Sequence, residues 1–212
     1  MKKFLIAVVL FSMLCAGCGR GENGISDTGN FSEIMEKEGI APYELSEEEQ
    51  FLLEAFGMTS DQSGIYTFRA PKEAKTLYIN VYRLKADNTW ELTGNGGISL
   101  GAEGVTAEPV SGTLTMELQE EYSIEFHVNC RGGYSFTSDT IVLDEKQLAG
   151  VKGRLEDFQN IEINKEIPLA VMVYDSGSSM RSYSPDDYFD PSVFDGMDLV
   201  QIVAVEFSSE EF

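Results

Sequence analysis

The feature that most constrains this chain is a change in the spacing of its apolar residues. From Gly64 onward, apolar and polar residues alternate with a period of two, which is the spacing of a half-buried β-strand. The cleanest alternation covers two neighbouring segments that predict a hairpin. Leu114, Met116, Ile124 and Phe126 share one side of this hairpin, and we expect that side to form the centre of the core.

The rest of the chain predicts roughly ten short strands separated by turn residues. Two segments, 168–175 and 199–207, are apolar on both faces, which is typical of strands in the middle of a sheet. A three-residue turn at 86–88 would join two further strands and place Trp90 opposite Leu84. The sequence therefore predicts a mainly β fold, an antiparallel β-sandwich or barrel-like domain.

One or two short helices are expected before the strands, within residues 31–57. The first would cover 31–38 and end before Gly39. The second begins at Ser46, which with Glu49 predicts a capping box, and ends at Gly57. Its apolar residues gather on one face, which we expect to be buried within the domain: Phe51, Leu52, Ala55 and Phe56.

The first eighteen residues have the features of a secretory signal. Lys2 and Lys3 precede a short apolar run over residues 4–14, and Ala16 and Gly17 are small residues suited to a peptidase. The run is too short to cross a bilayer, which needs about 20 apolar residues. We therefore expect residues 1–17 to be a signal peptide and the remainder to be exported.

The end of this segment, Cys15-Ala16-Gly17-Cys18, resembles the lipobox of bacterial lipoproteins. The resemblance implies that Cys18 receives a diacylglyceryl thioether and becomes the mature N-terminus, anchored at the extracytoplasmic face of the cell membrane. The match departs from the family at Cys15, where leucine is preferred. The expected organisation is a signal peptide (1–17), a Gly-rich flexible tether (18–30) and a single β-rich extracytoplasmic domain (31–212) that begins with the helical segment 31–57.

The charge of the chain limits its partners. The net charge is −21, and removal of the signal takes away two lysines and lowers it to −23. A domain this acidic repels phosphate backbones, which excludes nucleic-acid binding. The remaining partners are the membrane, through the lipid anchor, and a protein or glycan at the cell surface.

No catalytic residue is predicted. The G-x-S-x-G pattern at 97–101 is meaningful only where a helix follows the serine, and the Gly-rich sequence around it does not favour one. His127 and Cys130 are three residues apart on a predicted strand, so they would not point to the same side. We expect a non-catalytic binding module. The alternative is an extracytoplasmic hydrolase that uses paired carboxylates, because acidic residues are plentiful.

An acidic loop offers one candidate binding site. Oxygen-rich loops on β domains bind Ca²⁺, which takes six to eight hard ligands, and no other cofactor is expected. A solvated acidic loop without metal is the favoured interpretation, since the EF-hand spacing is absent. The candidate ligands are Asp186, Asp187, Asp190, Asp195 and Asp198.

An aromatic strand face offers a second candidate site. Tyr78 and Tyr82 share one face of a predicted strand, and Trp90 would lie beside them across the turn. Exposed in a row, these rings could stack on the sugars of a glycan. We expect instead that Phe51 and Phe56 of the predicted helix cover this face and bury it.

Overall fold

The computed structural model describes residues 36–59, 61–101, 109–143, 148–177 and 181–211. Over these ranges the chain is mainly β and forms two antiparallel sheets of five strands, neither closed into a barrel. The first sheet contains, in spatial order, β1 (Gly39–Pro42), β2 (Ser63–Arg69), β5 (Ser111–Leu118), β6 (Ile124–Asn129) and β7 (Gly133–Thr137). The second contains β4 (Trp90–Ser99), β3 (Thr76–Leu84), β10 (Leu199–Ser208), β9 (Glu166–Asp175) and β8 (Ala149–Arg154).

The two sheets share one apolar core, which gives the fold a sandwich-like arrangement. Leu114, Met116, Ile124 and Phe126 are all buried at its centre, so the predicted hairpin and its inward face are confirmed. The rings of Phe126 and Phe136 stack with their centroids 4.8 Å apart. The second sheet contributes inward-facing residues to the same core, among them Ile79, Val81, Val203 and Val205.

Strand β10 lies in the middle of the second sheet, hydrogen-bonded to β3 on one side and β9 on the other. Most residues of β9 and all but one of β10 are buried, as their two apolar faces predict. One face of each strand contacts the shared core. The opposite face contacts a separate cluster, described below, that closes the outer side of the sheet.

One α-helix, α1 (Glu47–Ala55), occurs in the described parts of the chain. Ser46 accepts a hydrogen bond from the Glu49 backbone and the Glu49 side chain accepts one from Ser46, so the predicted capping box is confirmed. Gly57 takes the left-handed φ of +87° that ends such a helix. The earlier helix predicted at 31–38 is not formed at 36–38, which are bends leading into β1, and 31–35 lie outside the described residues.

Strands β4 and β8 show little alternation of apolar and polar residues. The Gly-rich stretch at 94–97 looks like a loop in sequence but lies within β4, because its glycines let the two sheets approach closely. A Cβ on Gly96 would lie 2.2 Å from the Phe136 ring. Strand β8 is a short edge strand with little apolar character, and residues 141–143 belong to no strand.

Candidate functional site

The outer side of the second sheet is covered by the segment 183–197, which we call the outer segment. It contains two short 3-10 turns, Pro185–Phe189 and Pro191–Phe194. Tyr183 and Phe194 are buried against the outward-facing side chains of β9 and β10, including Val171, Val173 and Ile202. The outer segment therefore gives this sheet a second, smaller apolar core on its outer face.

Glu166, the first residue of β9, lies where this apolar cover ends. Its Oε1 accepts hydrogen bonds from the Asn80 amide at 2.7 Å and the Tyr82 hydroxyl at 2.5 Å. Its Oε2 accepts one from the Tyr188 hydroxyl at 2.5 Å. Asn80 is in turn fixed by the amide of Asn95 at 2.5 Å. Donors from β3 and from the outer segment therefore meet at one carboxylate of β9. We call Glu166, Asn80, Tyr82, Tyr188 and Asn95 the Glu166 cluster.

The two tyrosines of the Glu166 cluster act as hydrogen-bond donors at every ordinary pH. Burial, and then the hydrogen bond and charge of Glu166, raise the pKa of Tyr82 and of Tyr188 well above the usual value for a phenol. Short hydrogen bonds from neutral hydroxyls to a carboxylate are among the stronger polar contacts in proteins. The arrangement holds the carboxylate in one position.

Glu206 lies directly opposite Glu166 across the β9–β10 pair. Its partial burial, followed by the negative charges of Glu166 and Glu210, raises the pKa of Glu206. Two neighbouring carboxyl groups in different environments are the arrangement that acid–base catalysis uses. Here, however, both oxygens of Glu166 are already occupied by donors, which favours a structural role for this carboxylate.

The aromatic residues predicted as a glycan platform fall into this same region. Tyr82 and Trp90 pack against Tyr188, with ring centroids 5.7 and 5.4 Å away, and the Trp90 indole donates to the Tyr188 carbonyl at 3.0 Å. Trp90 is opposite Leu84, as the predicted turn requires. Tyr78 is half-buried further along the face. The outer segment, and not helix α1, therefore covers Tyr82 and Trp90.

The aspartates predicted as calcium ligands are used in separate local contacts. Asp186 donates its backbone N–H to Ser184, and its neighbours accept hydrogen bonds through their carboxylates: Asp187 from the Ser184 backbone at 2.9 Å, Asp190 from Ser192 at 2.6 Å, Asp195 from Asn88 at 2.7 Å and Asp198 from Ser176 at 2.6 Å. Among the described residues, no three His, Cys, Asp or Glu side chains gather in a way that could hold a metal ion.

His127 and Cys130 occupy different environments. His127 is exposed on β6, with its Nε2 3.4 Å from a carboxylate oxygen of Glu125. Cys130 is half-buried just after this strand, and burial raises the pKa of its thiol, which disfavours the reactive thiolate. Ser99 of the G-x-S-x-G pattern ends β4 and donates to the carbonyl of Gly101 at 3.0 Å.

Helix α1 has two apolar sides. Leu53, together with Met58 just beyond the helix, lines a groove of about 200 Å³ against the first sheet, opposite Ile65 and Leu155. Phe51 and Leu52 of the helix and the C-cap residue Phe56 are instead 74%, 55% and 76% exposed, and we call these three residues the α1 face. The expectation that these residues are buried within the domain, over Tyr78 and Tyr82, is therefore wrong.

The reason lies in the helix itself. Leu53 lines the groove, and Phe51 lies about 160° away from it around the helix axis, so a single short helix cannot turn both side chains toward one sheet. The sequence signal for the α1 face was present, but the sequence did not say which apolar side would contact the domain.

No family model, no curated protein and no solved structure matches this chain. No helix in the described residues is long and apolar enough to cross a membrane. Cys18 and the signal and tether around it lie outside the described residues. The fold places the chain in the class of mainly β proteins with two facing antiparallel sheets.

Proposed function

We propose that this protein is a lipoprotein, anchored through Cys18 at the extracytoplasmic face of the cell membrane, whose domain is a non-catalytic binding module. The positive start, short apolar run and small residues before Cys18 support the anchor. Two facing antiparallel sheets support a β-sandwich as the folded module. Its ligand class is a protein, a glycan or an ion at the cell surface.

The observation that carries the binding role is the α1 face. Large apolar side chains exposed together on one element are typical of interaction surfaces in soluble proteins. The helix that presents them is capped at Ser46 and closed at Gly57, so the exposure belongs to a well-formed element. A surface of this kind gains free energy when a partner removes it from water.

The anchor is tested by cell fractionation. Cys18→Ala should abolish lipidation and release the chain from the membrane fraction, because the acyl chains on Cys18 are the proposed anchor. Cys130→Ala is the matched control, since it removes the free cysteine of the domain and should leave the protein on the membrane. A Cys18→Ala protein that stays with membranes through a high-salt wash would contradict the proposal.

A second candidate function is hydrolysis by paired carboxylates. The opposition of Glu206 and Glu166, with the pKa of Glu206 raised, is the observation that favours it. In that mechanism Glu206 would donate a proton to the leaving group while Glu166 acted as the base. The occupied oxygens of Glu166 favour the binding module instead.

The two candidates separate in an activity assay. The purified protein is offered a panel of nitrophenyl glycosides and esters, beside Glu206→Gln and, as a control, the exposed Glu156→Gln. The binding module predicts no turnover above buffer for any of the three. Turnover that Glu206→Gln abolishes and Glu156→Gln leaves intact would instead establish the hydrolase.

A further inference from the structure

The α1 face is held outward by the way its helix is attached. Leu53 and Met58 lie on the groove side, and the Tyr43 hydroxyl donates to the Glu49 side chain at 2.7 Å. Leu53 and the Tyr43–Glu49 hydrogen bond lie on the side of the helix that is turned toward the domain. Phe51 and Phe56 are exposed to solvent.

The border of the α1 face is acidic. Glu47 and Glu48 in the first turn and Glu54 near the last are exposed, and the last turn carries no basic residue. The chain as a whole has a net charge of −21. A surface with an apolar centre and a negative border is complementary to a surface with an apolar centre and a positive border.

We propose that the α1 face docks into an apolar cleft of a partner protein whose rim carries lysine and arginine side chains. This inference rests on the proposed binding role and assigns it a surface and a partner chemistry. The recognition mode is that of an apolar helix face laid into a groove, in which the spaced large side chains act as anchors. Phe51, Leu52 and Phe56 are the anchors, and the glutamates orient the encounter.

The glutamates around the α1 face disfavour two other binding partners, a second copy of the chain and an anionic bilayer. A second copy of the chain would bring the acidic border of one α1 face against the acidic border of the other, and like charges facing across a contact oppose association. A bilayer containing anionic lipids would repel the glutamates in the same way. A cationic rim on a different protein is the arrangement that satisfies both the apolar centre and the negative border.

The experiment uses the full lipidated chain in the membranes of its own cells. A photoreactive p-benzoylphenylalanine replaces Phe51, and irradiation is followed by identification of the adduct and of the cross-linked peptide by mass spectrometry. The same group at Phe189, which is 67% exposed on the outer segment, is the matched control. We expect a protein adduct from position 51, absent from position 189, whose cross-linked peptide lines an apolar cleft bordered by lysine or arginine.

Two sets of second-site changes test the chemistry of the contact. Leu52→Gln with Phe56→Ser should abolish the adduct, and circular dichroism verifies that the protein remains folded. Glu47→Gln with Glu48→Gln should reduce the yield of the adduct by more than half and make that yield less dependent on salt. Glu91→Gln with Glu156→Gln changes exposed glutamates elsewhere and should leave the yield unchanged.

Each other outcome overturns the inference. An adduct with the mass of two copies of the chain identifies self-association, and adducts with lipid alone identify a membrane contact. An adduct unaffected by the glutamate changes removes the charge argument. Adducts from position 189 but not 51 leave the binding role intact and place it on another surface, whereas no adduct from either position rejects the binding role as well.

Discussion

The hydroxyl group of Tyr188 donates a 2.5 Å hydrogen bond to Glu166, and this contact joins the outer segment to the first residue of strand β9. The same carboxylate accepts from Tyr82, 84 positions away in the sequence. Because three chain segments meet at Glu166, we conclude that this residue holds the outer segment in register over the sheet.

Replacing Glu166 with glutamine should destabilise the fold. The glutamine keeps one acceptor oxygen in place of two and loses the negative charge, so hydrogen bonds from the tyrosines weaken or are lost. Hydrogen bonds to charged groups contribute about 1.5–3 kcal/mol, and we expect a loss in this range in the free energy of unfolding by urea. The exposed Glu156→Gln serves as control. Equal urea midpoints for both variants would show that the hydrogen bonds of Glu166 do not stabilise the fold.

Replacing Glu206 with glutamine should have the opposite effect at neutral pH. Because the folded pKa of Glu206 is raised, protonation of this residue stabilises the fold, and that stabilisation is lost as the pH rises from 4.5 through the folded pKa. The variant is neutral throughout. Urea midpoints of the two proteins should coincide below pH 4.5 and separate above it, with the variant more stable. A difference that stays constant with pH contradicts the raised pKa of Glu206.

The core is tested by Phe126→Ala. Its ring is fully buried and stacked on Phe136, so its removal leaves a cavity between the sheets. Such truncations cost about 3–5 kcal/mol, which should lower the urea midpoint markedly. Val142→Ala removes methyl groups from a residue that is 83% exposed and should change little, so similar midpoints for both variants would refute the core assignment.

Calcium should stabilise the domain no more than sodium does. Four aspartates of the outer segment and its flanks already accept hydrogen bonds within the protein. A site filled at ten times its dissociation constant would add about 1.4 kcal/mol. Melting temperatures in millimolar Ca²⁺ and in Na⁺ of matched ionic strength should agree, whereas a calcium-specific rise that disappears in Asp187→Asn/Asp190→Asn would establish the metal site.

Much of the fold follows from local patterns in the sequence. The alternation around Leu114 and Phe126 predicted both strands and their buried face, and the two apolar faces of β10 predicted its central place. The capping box at Ser46 located α1. These features depend on side chains a few residues apart, which a single sequence displays directly.

The candidate site depends on contacts between distant residues and was missed. Glu206 could have been noticed, because it is the lone acid in an apolar strand. Its opposition to Glu166 depends on which strands pair, and the position of Tyr188 depends on how the outer segment folds back. Gly96 is also explained by a distant residue. It has to be a glycine because the Phe136 ring of the other sheet occupies the place of a side chain, and the sequence alone does not show this contact.

The anchor at Cys18 is the central claim, and the mass of the N-terminal tryptic peptide tests it most directly. Cleavage after Arg20 should release the tripeptide Cys18-Gly19-Arg20 from the membrane-bound protein. We predict that this tripeptide carries a diacylglyceryl group on the Cys18 sulfur. An unmodified Cys18, or a peptide that still contains residues of the 1–17 segment, would contradict the account.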